Sequence, residues 1–129
     1  MPKVFTSKTQ KRGEAGENVA VLWLEKHGFK IIDRNYTMKA GEIDVVAEDK
    51  GKVFFFEVKS IVTRESVSPE TIAFRPEDNV HPMKLKRLYK TVELFLMEHK
   101  ITKNWQIDLL CVYLYEDTKK ARVVRIENI

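Results

Sequence analysis

The chain has 129 residues, a length typical of one domain, and its hydrophobic content of 43% is sufficient for a packed core. The net charge of +4 is compatible with a polyanionic partner but does not require one. A single cysteine, Cys111, excludes an intrachain disulfide and any metal site built from several cysteines. No apolar run approaches the roughly 18 residues that cross a bilayer, and no apolar segment follows the basic N-terminus. We therefore expect a soluble, cytoplasmic protein with no membrane partner.

The N-terminal part of the chain is polar and basic, and it predicts a flexible arm over residues 1–12 ahead of a single domain over residues 13–129. From Gly13 apolar side chains recur at helical spacing, and Gly28 is the kind of residue that commonly ends a helix. Three strands are predicted after this helix, at residues 29–36, 41–48 and 52 to about 61.

The second half of the chain begins with residues 62–80, whose two prolines and mixed polar residues predict a long, functional loop. Pro82 suits the first turn of a second helix, in which apolar residues again recur at helical spacing. Two more strands are predicted at residues 105–115 and 121–126. The resulting order, α-β-β-β-α-β-β, is typical of a mixed α/β domain.

The segment Asp49-Lys50-Gly51-Lys52 predicts a tight hairpin turn, because glycine tolerates positive φ. With Lys50 and Gly51 at its centre, Asp44 faces Glu57 across the hairpin. The face that they share alternates along both strands and comprises Glu42, Asp44, Val46, Glu48, Val53, Phe55, Glu57 and Lys59. The opposite face is wholly apolar and comprises Ile43, Val45, Ala47, Phe54, Phe56 and Val58.

The opposed carboxylates of Asp44 and Glu57 repel each other, and Lys59, a shared proton or a divalent cation could each relieve the repulsion. Carboxylate oxygens suit Mg²⁺ and Mn²⁺. The alternative is a solvated face with scattered salt bridges. Against that alternative, Val46 and Phe55 lie on the same face and predict that another element covers part of it. The charges also gather at the strand end far from the turn, as a functional site requires.

These residues resemble the PD-(D/E)XK nuclease signature, an Asp on one strand and Glu-x-Lys on the next, here Asp44 and Glu57-Val58-Lys59. The wider pattern resembles the YraN family, through Gly13-x-x-Gly16-Glu17-x-x-Ala20, Arg34-Asn35-Tyr36, Gly41-Glu42-Ile43-Asp44 and Phe56-Glu57-Val58-Lys59. The match continues through Val80, Lys84, Arg87, Leu88 and Ile107-Asp108-Leu109. These small bacterial predicted endonucleases are similar to archaeal Holliday-junction resolvases. The resemblance implies a restriction-endonuclease-like fold, with a central mixed sheet flanked by helices.

The resemblance also implies a metal-dependent endodeoxyribonuclease, in which Asp44, Glu57 and the main-chain carbonyl of Val58 hold Mg²⁺ or Mn²⁺. In this interpretation Lys59 orients or helps to deprotonate the attacking water, whereas the alternative makes it a counter-charge to Glu42. Glu17 lies at the rim of the first helix's apolar stripe, from which a resolvase-like catalytic carboxylate could reach over the sheet. Alternatively, Glu17 is a first-turn residue favoured by the helix dipole.

Basic residues indicate how DNA would be held. Lys84 lies on the rim of the second helix's apolar stripe, within reach of a phosphate, and the arm supplies Lys8, Lys11 and Arg12. Three other basic residues of that helix point away from the stripe and predict a solvated face, with a second basic patch as the alternative: Lys86, Arg87 and Lys90. Because no reader of base edges is evident, we expect recognition of DNA structure rather than sequence. Symmetric cutting of a junction requires two active sites, so we expect a homodimer.

The chain departs from the family pattern at Ile61, where the family often has an arginine, and this leaves the role of the following loop open. Two other functions stay open: a non-catalytic nucleic-acid-binding module on the same fold, and a protein-interaction domain with an incidental acidic face. Several further residues are expected to have structural roles. Asp108 should have a buried hydrogen-bond partner, and Trp105 and Cys111 should lie in the core. His81 is predicted to cap a helix, and His27 and His99 to lie at the rims of helices.

Overall fold

The computed structural model describes residues 8–66 and 81–129, with side chains from residue 13 onwards. Its two helices and five strands follow the predicted order, as α1 (Lys8–Lys26), β1 (Lys30–Met38), β2 (Gly41–Asp49), β3 (Lys52–Thr63), α2 (Pro82–Glu98), β4 (Trp105–Tyr115) and β5 (Ala121–Ile126). Within these residues no helix combines the length and the apolar character needed to cross a membrane.

The five strands form one sheet in the order β1-β2-β3-β4-β5. Strands β3 and β4 are parallel, whereas the other neighbouring pairs are antiparallel. A parallel pair needs a crossover connection, and α2 lies in that crossover between β3 and β4. The predicted fold class is therefore confirmed: an α/β domain of restriction-endonuclease-like order, with a central mixed sheet flanked by helices.

The two helices cover opposite faces of the sheet, because each helix contributes to a different core cluster. The α1 side comprises Ala20, Leu24, Phe29, Val45, Ala47, Phe54, Phe56, Leu110 and Val112. The α2 side comprises Ile43, Val46, Val53, Phe55, Leu88, Val92, Phe95 and Ile107. Val46 and Phe55 are thus covered by α2, as their apolar character on a charged face predicted.

Helix α1 begins at Lys8, and not at Gly13 as predicted. The prediction was based on the apolar stripe, which begins after residue 12. Residues 8–12 have no hydrophobic periodicity, so this part of the helix could not be recognised from the sequence pattern. The backbone of Lys8, Lys11 and Arg12 therefore lies in the first turns of α1. Residues 1–7 of the predicted arm and residues 67–80 of the predicted loop lie outside the described residues.

The β2–β3 hairpin has the predicted turn and register. Lys50 and Gly51 have φ values of 51° and 77°, as a two-residue turn with two left-handed positions requires. The ladder pairs Val45 with Phe56 and Asp49 with Lys52. It ends at Val45 within the described sheet, so Asp44 and Glu57 lie one step beyond its last pair and are not ladder partners.

Ile43 lies on the α2 side with Val46, so its predicted place beside Val45 on the opposite face is wrong. Both β1 and β2 depart from regular alternation at this point. The register pairs Arg34 with Val45 and Tyr36 with Ile43, which places Asn35, with φ 54°, across from Asp44. A left-handed residue breaks the regular alternation of its own strand, and Ile43 of β2 lies on the same side as its β1 partner, Tyr36.

Several structural assignments are confirmed. Asp108 is fully buried and accepts hydrogen bonds from Gln106 Nε2 (2.7 Å), Arg125 Nε (3.0 Å) and the Asn128 N–H (3.0 Å). Trp105 packs against the α2 cluster, edge-on to Phe55 and Tyr89, and Cys111 is buried. His81 is the N-cap of α2, and its Nδ1 accepts a hydrogen bond from the Met83 N–H.

Candidate metal and nucleic-acid site

The candidate site lies where β2 and β3 diverge. From the turn, the pairing of β2 with β3 extends only as far as Val45 and Phe56, whereas β3 continues beside β4 as far as Thr63. The divergence leaves main-chain groups of β3 without a strand partner on the β2 side. Oδ2 of Asp44 accepts a hydrogen bond from one of them, the N–H of Val58, at 2.8 Å. The Asp44 carboxylate is therefore held in the plane of the sheet, next to the strand that carries Glu57.

A cleft of about 330 Å³ opens on the α2 side of this point. Its described lining residues come from the start of β2, from β3 and from the first turns of α2: Gly41, Glu42, Asp44, Glu57, Lys84, Arg87 and Leu88. The structure thus brings the two predicted metal-binding carboxylates together with the predicted phosphate-binding lysine.

Asp44 is held in an electrostatic environment that disfavours its negative charge. Burial, followed by the charge of Glu57, raises the pKa of Asp44 from 3.8 to about 8. The hydrogen bond from Val58 acts in the opposite direction, and the charges of Glu17 and Glu42 add smaller increases. A cation beside these two carboxylates would relieve their repulsion.

Lys84 already supplies one positive charge to this pair. Its Nζ lies 2.6 Å from Glu57 Oε1, and the Glu57 side chain is only 11% exposed. Burial by itself lowers the pKa of Lys84, but the hydrogen bond to Glu57 and the charges of Glu57 and Asp44 outweigh it. The pKa of Lys84 is consequently raised, and the lysine is charged at neutral pH.

The donor set fits a hard divalent cation. Asp44 and Glu57 offer carboxylate oxygens. Val58, which offers a main-chain carbonyl, lies between Glu57 and Lys59 on β3. Within residues 8–66 and 81–129 no three His, Cys, Asp or Glu side chains cluster as a ready ligand set. Mg²⁺ usually keeps several water ligands and takes only one or two carboxylates, so a set of two carboxylates and a carbonyl suits it.

Glu17 is fixed between α1 and β1. Its Oε1 accepts hydrogen bonds from Arg34 Nε (3.3 Å), Arg34 Nη2 (3.2 Å) and Asn35 Nδ2 (2.9 Å). The described lining of the cleft does not include Glu17, although its charge acts on Asp44. Because α1 starts at Lys8, Glu17 stands well beyond the first turn, and the first-turn alternative is wrong. Arg34 and Asn35 of the Arg-Asn-Tyr motif thus hold the Glu17 carboxylate in place.

Lys59 lies on β3, two residues after Glu57, and is partly buried beside Cys111 of β4. Alternation along a strand places it on the same face as Glu57. The described residues that line the cleft do not include Lys59. Its proposed action on water therefore stays a prediction.

Gly16 and Ser60 set the approach of α1 to β3. A Cβ atom at Gly16 would lie 2.8 Å from Ser60 Cβ and would clash with its hydroxyl, so only glycine fits. Ser60 follows Lys59 directly, and Gly16 precedes Glu17. The glycine in the Gly16-Glu17 motif is therefore explained by helix–strand contact next to the site.

Arg87 is exposed, as predicted, and it also lines the cleft, which its position away from the apolar stripe did not indicate. It stands three residues after Lys84, and residues at this spacing share one face of a helix. The spacing from Lys84 was the signal in the sequence that could have identified it. Lys86 and Lys90 are exposed and do not belong to the described lining.

Comparisons with known proteins identify the family. Residues 16–112 match the family described as "Uncharacterised protein family UPF0102". A UPF0102 protein of Campylobacter lari is 38% identical over 117 residues, which cover 91% of each chain. A UPF0102 protein of Helicobacter hepaticus is 36% identical over 118 residues, which cover 92% of this chain and 93% of that relative.

Among solved structures, SfsA of Pyrococcus furiosus in complex with Ca²⁺ is similar with a TM-score of 0.39 and 17% identity. The match covers 99% of this chain and 74% of the SfsA chain. At these levels the relationship to the UPF0102 proteins is the informative one. The chain belongs to the UPF0102 family, and the resemblance to the YraN family is thereby confirmed.

Proposed function

We propose that this protein is a divalent-metal-dependent endonuclease that hydrolyses DNA phosphodiester bonds, with branched or damaged DNA as its substrate. The observation that supports this most strongly is the pair of carboxylates, Asp44 and Glu57, at the divergence of β2 and β3 beside basic residues of α2. Acidic oxygens for a cation and basic groups for a phosphate are the two requirements of this reaction.

In this proposal Asp44, Glu57 and the Val58 carbonyl hold Mg²⁺ or Mn²⁺. When bound, the cation supplies positive charge that stabilises the charge developing on the phosphate and makes water more acidic. Lys59 orients the attacking water or accepts its proton. The water oxygen bonds to phosphorus, the bond to one ester oxygen breaks, and the departing oxygen takes up a proton.

The substrate is proposed to be recognised by its shape. Lys84 and the basic residues of the N-terminal region, Lys8, Lys11 and Arg12, contact phosphates, which carry no sequence information. We expect a homodimer, because paired cuts at a junction require two sites. A four-way junction or flap should then bind better than a linear duplex of equal length, and binding should weaken steeply with salt.

The test is incubation of the protein with junction, flap and linear DNA in Mg²⁺ or Mn²⁺, with Asp44→Asn alongside. We expect the wild type to cut and the variant to be inactive. The same cations should raise the melting temperature of the wild type but hardly that of Asp44→Asn. Glu48→Gln, which removes a carboxylate from the opposite end of β2, should keep the full shift. Equal shifts in wild type and Asp44→Asn would exclude this carboxylate pair as the metal site.

The alternative is a non-catalytic nucleic-acid-binding module. Two observations favour it: Lys84 already neutralises Glu57, and the described residues offer no cluster of three metal-ligating side chains. Lys59→Ala separates the two functions, because it removes no oxygen ligand. In a nuclease the variant should retain metal binding in calorimetry, while cleavage falls by at least ~100-fold. A binding module should bind DNA equally well with or without Lys59 and cut nothing in either form.

A further inference from the structure

We infer that Arg87 is a phosphate-binding residue of the cleft and contacts the DNA backbone beside the carboxylates. The inference rests on the proposed DNA substrate, and it gives one residue of α2 a role that the amphipathic pattern did not predict. Three points support it: the close approach of α2 to β2 at this residue, the balance of charge in the cleft, and the chemistry of the guanidinium group.

Helix α2 approaches the start of β2 closely at Arg87 and Thr91. Thr91 is fully buried, and its Oγ1 donates a 2.8 Å hydrogen bond to the Arg87 carbonyl. Gly41 permits this approach, since a Cβ there would lie 3.0 Å from Thr91 Oγ1 and 3.6 Å from Arg87 Cβ. The backbone of Arg87 therefore lies next to the start of β2, and its side chain is exposed at the cleft.

The charges of the cleft favour Arg87 over Lys84 as the first contact for an anion. Three carboxylates line the cleft, and the Lys84 ammonium is already engaged with Glu57 at 2.6 Å. None of the ion pairs that join described residues to one another involves Arg87. The positive charge of Arg87 would attract an incoming phosphate, whose negative charge the acidic side of the cleft would repel.

The guanidinium group suits this position chemically. It is planar, carries five N–H donors and matches two phosphate oxygens at once, whereas an ammonium acts as a single point of charge. Arg87 should therefore position the phosphodiester without taking part in the bond changes. Replacement by lysine should preserve the charge but lose the paired hydrogen bonds.

The test is DNA binding measured by fluorescence anisotropy over a series of salt concentrations, in EDTA so that cleavage cannot contribute. Arg87→Gln should weaken binding about tenfold and reduce the slope of log affinity against log salt by about one phosphate contact. Arg87→Lys should keep the slope but recover only part of the affinity. The matched control is Lys90→Gln, which removes the same charge from an exposed position of α2 outside the described lining.

The outcomes separate this inference from the proposed function. Equal salt slopes for Arg87→Gln and Lys90→Gln, in proteins of equal melting temperature, would overturn the role of Arg87 even if the wild type cuts DNA. Absence of DNA binding by the wild type would overturn it as well. A specific loss in Arg87→Gln would support it even if no form of the protein cuts DNA in Mg²⁺ or Mn²⁺, a result that would contradict the nuclease alone.

Discussion

The Nζ atom of Lys84 lies 2.6 Å from Oε1 of Glu57, so helix α2 donates a positive charge to a carboxylate that the sequence motif assigns to a metal. In the proposed nuclease, a divalent cation would therefore compete with Lys84 for the same oxygen. A cation bound to the carboxylates would take this partner from the ammonium and repel it. In the proposed nuclease, this exchange frees Lys84 to contact the phosphate.

The exchange predicts that Lys84→Met binds Mn²⁺ more tightly than the wild type, because no ammonium has to leave Glu57. We expect an increase of several-fold in the association constant measured by calorimetry, with an accompanying decrease in DNA affinity. The expected DNA effect is a smaller salt slope.

Lys103→Met is the matched control for that measurement. It removes an ion pair of similar length, since Lys103 Nζ lies 2.8 Å from Glu48 Oε1, at the other end of β2. This variant should bind Mn²⁺ as the wild type does. Weaker Mn²⁺ binding by Lys84→Met would show that Lys84 supports the metal site instead of competing with it.

The raised pKa of Asp44 predicts a pH dependence of stability. The folded protein keeps the Asp44 proton up to about pH 8, whereas the unfolded chain loses it near its ordinary value of 3.8. Between these values the folded state binds more protons, so the free energy of unfolding decreases as pH rises and levels off above about 8. Asp44→Asn cannot ionise, and it should be less sensitive to pH and more stable than the wild type at about pH 8.

Urea unfolding in EDTA at about pH 5 and about pH 8 checks this expectation. Glu48→Gln serves as the control, because this more exposed carboxylate lies at the far end of β2 and should leave the pH dependence unchanged. If Asp44→Asn loses as much stability between the two pH values as the wild type does, Asp44 is not the group responsible.

The contact between Gly16 and Ser60 predicts opposite effects of two similar substitutions in α1. Gly16→Ala should destabilise the protein by about 2 kcal/mol, because the new Cβ meets the Ser60 side chain. Gly13→Ala has nothing within 4 Å of its Cβ and should stabilise the helix by about 1 kcal/mol. Ser60→Gly should partly rescue Gly16→Ala in urea denaturation. An absence of coupling between these two sites would mean that α1 moves freely over β3.

A buried ion pair fastens β5 to the core, and this predicts a strong dependence on Arg125. Its Nη2 lies 2.9 Å from Oδ2 of the fully buried Asp108, and its guanidinium carbon lies 5.3 Å from the centre of the Phe29 ring. Arg125→Met should cost about 3 kcal/mol of unfolding free energy, because it leaves a buried carboxylate without its counter-charge. Adding Asp108→Asn should restore part of this loss.

Arg122→Met provides the comparison, since Arg122 is an exposed residue of the same strand. It should change the urea midpoint very little. A similar effect of both substitutions would show that β5 is stabilised by general charge and not by the pair with Asp108.

The sequence by itself determined the order of the elements and most of their bounds, because hydrophobic periodicity and turn residues are local signals. The predicted bounds of β4 and β5 agree with the structure, and the Lys50-Gly51 turn set the register that pairs Val45 with Phe56. The motif Asp44, Glu57-Val58-Lys59 also located the candidate site on two adjacent strands. These features depend on residues close together in the chain.

Only the tertiary structure decided the side-chain environment of the site. Three features depend on contacts between different elements: the divergence of β2 from β3, the departure from alternation that places Ile43 on the α2 side, and the hydrogen bonds that fix Glu17. Arg87 reaches the cleft because Gly41 lets β2 approach α2 closely. Periodicity ranks residues by their average burial along one helix, and it contains no information about which strand end lies opposite that helix.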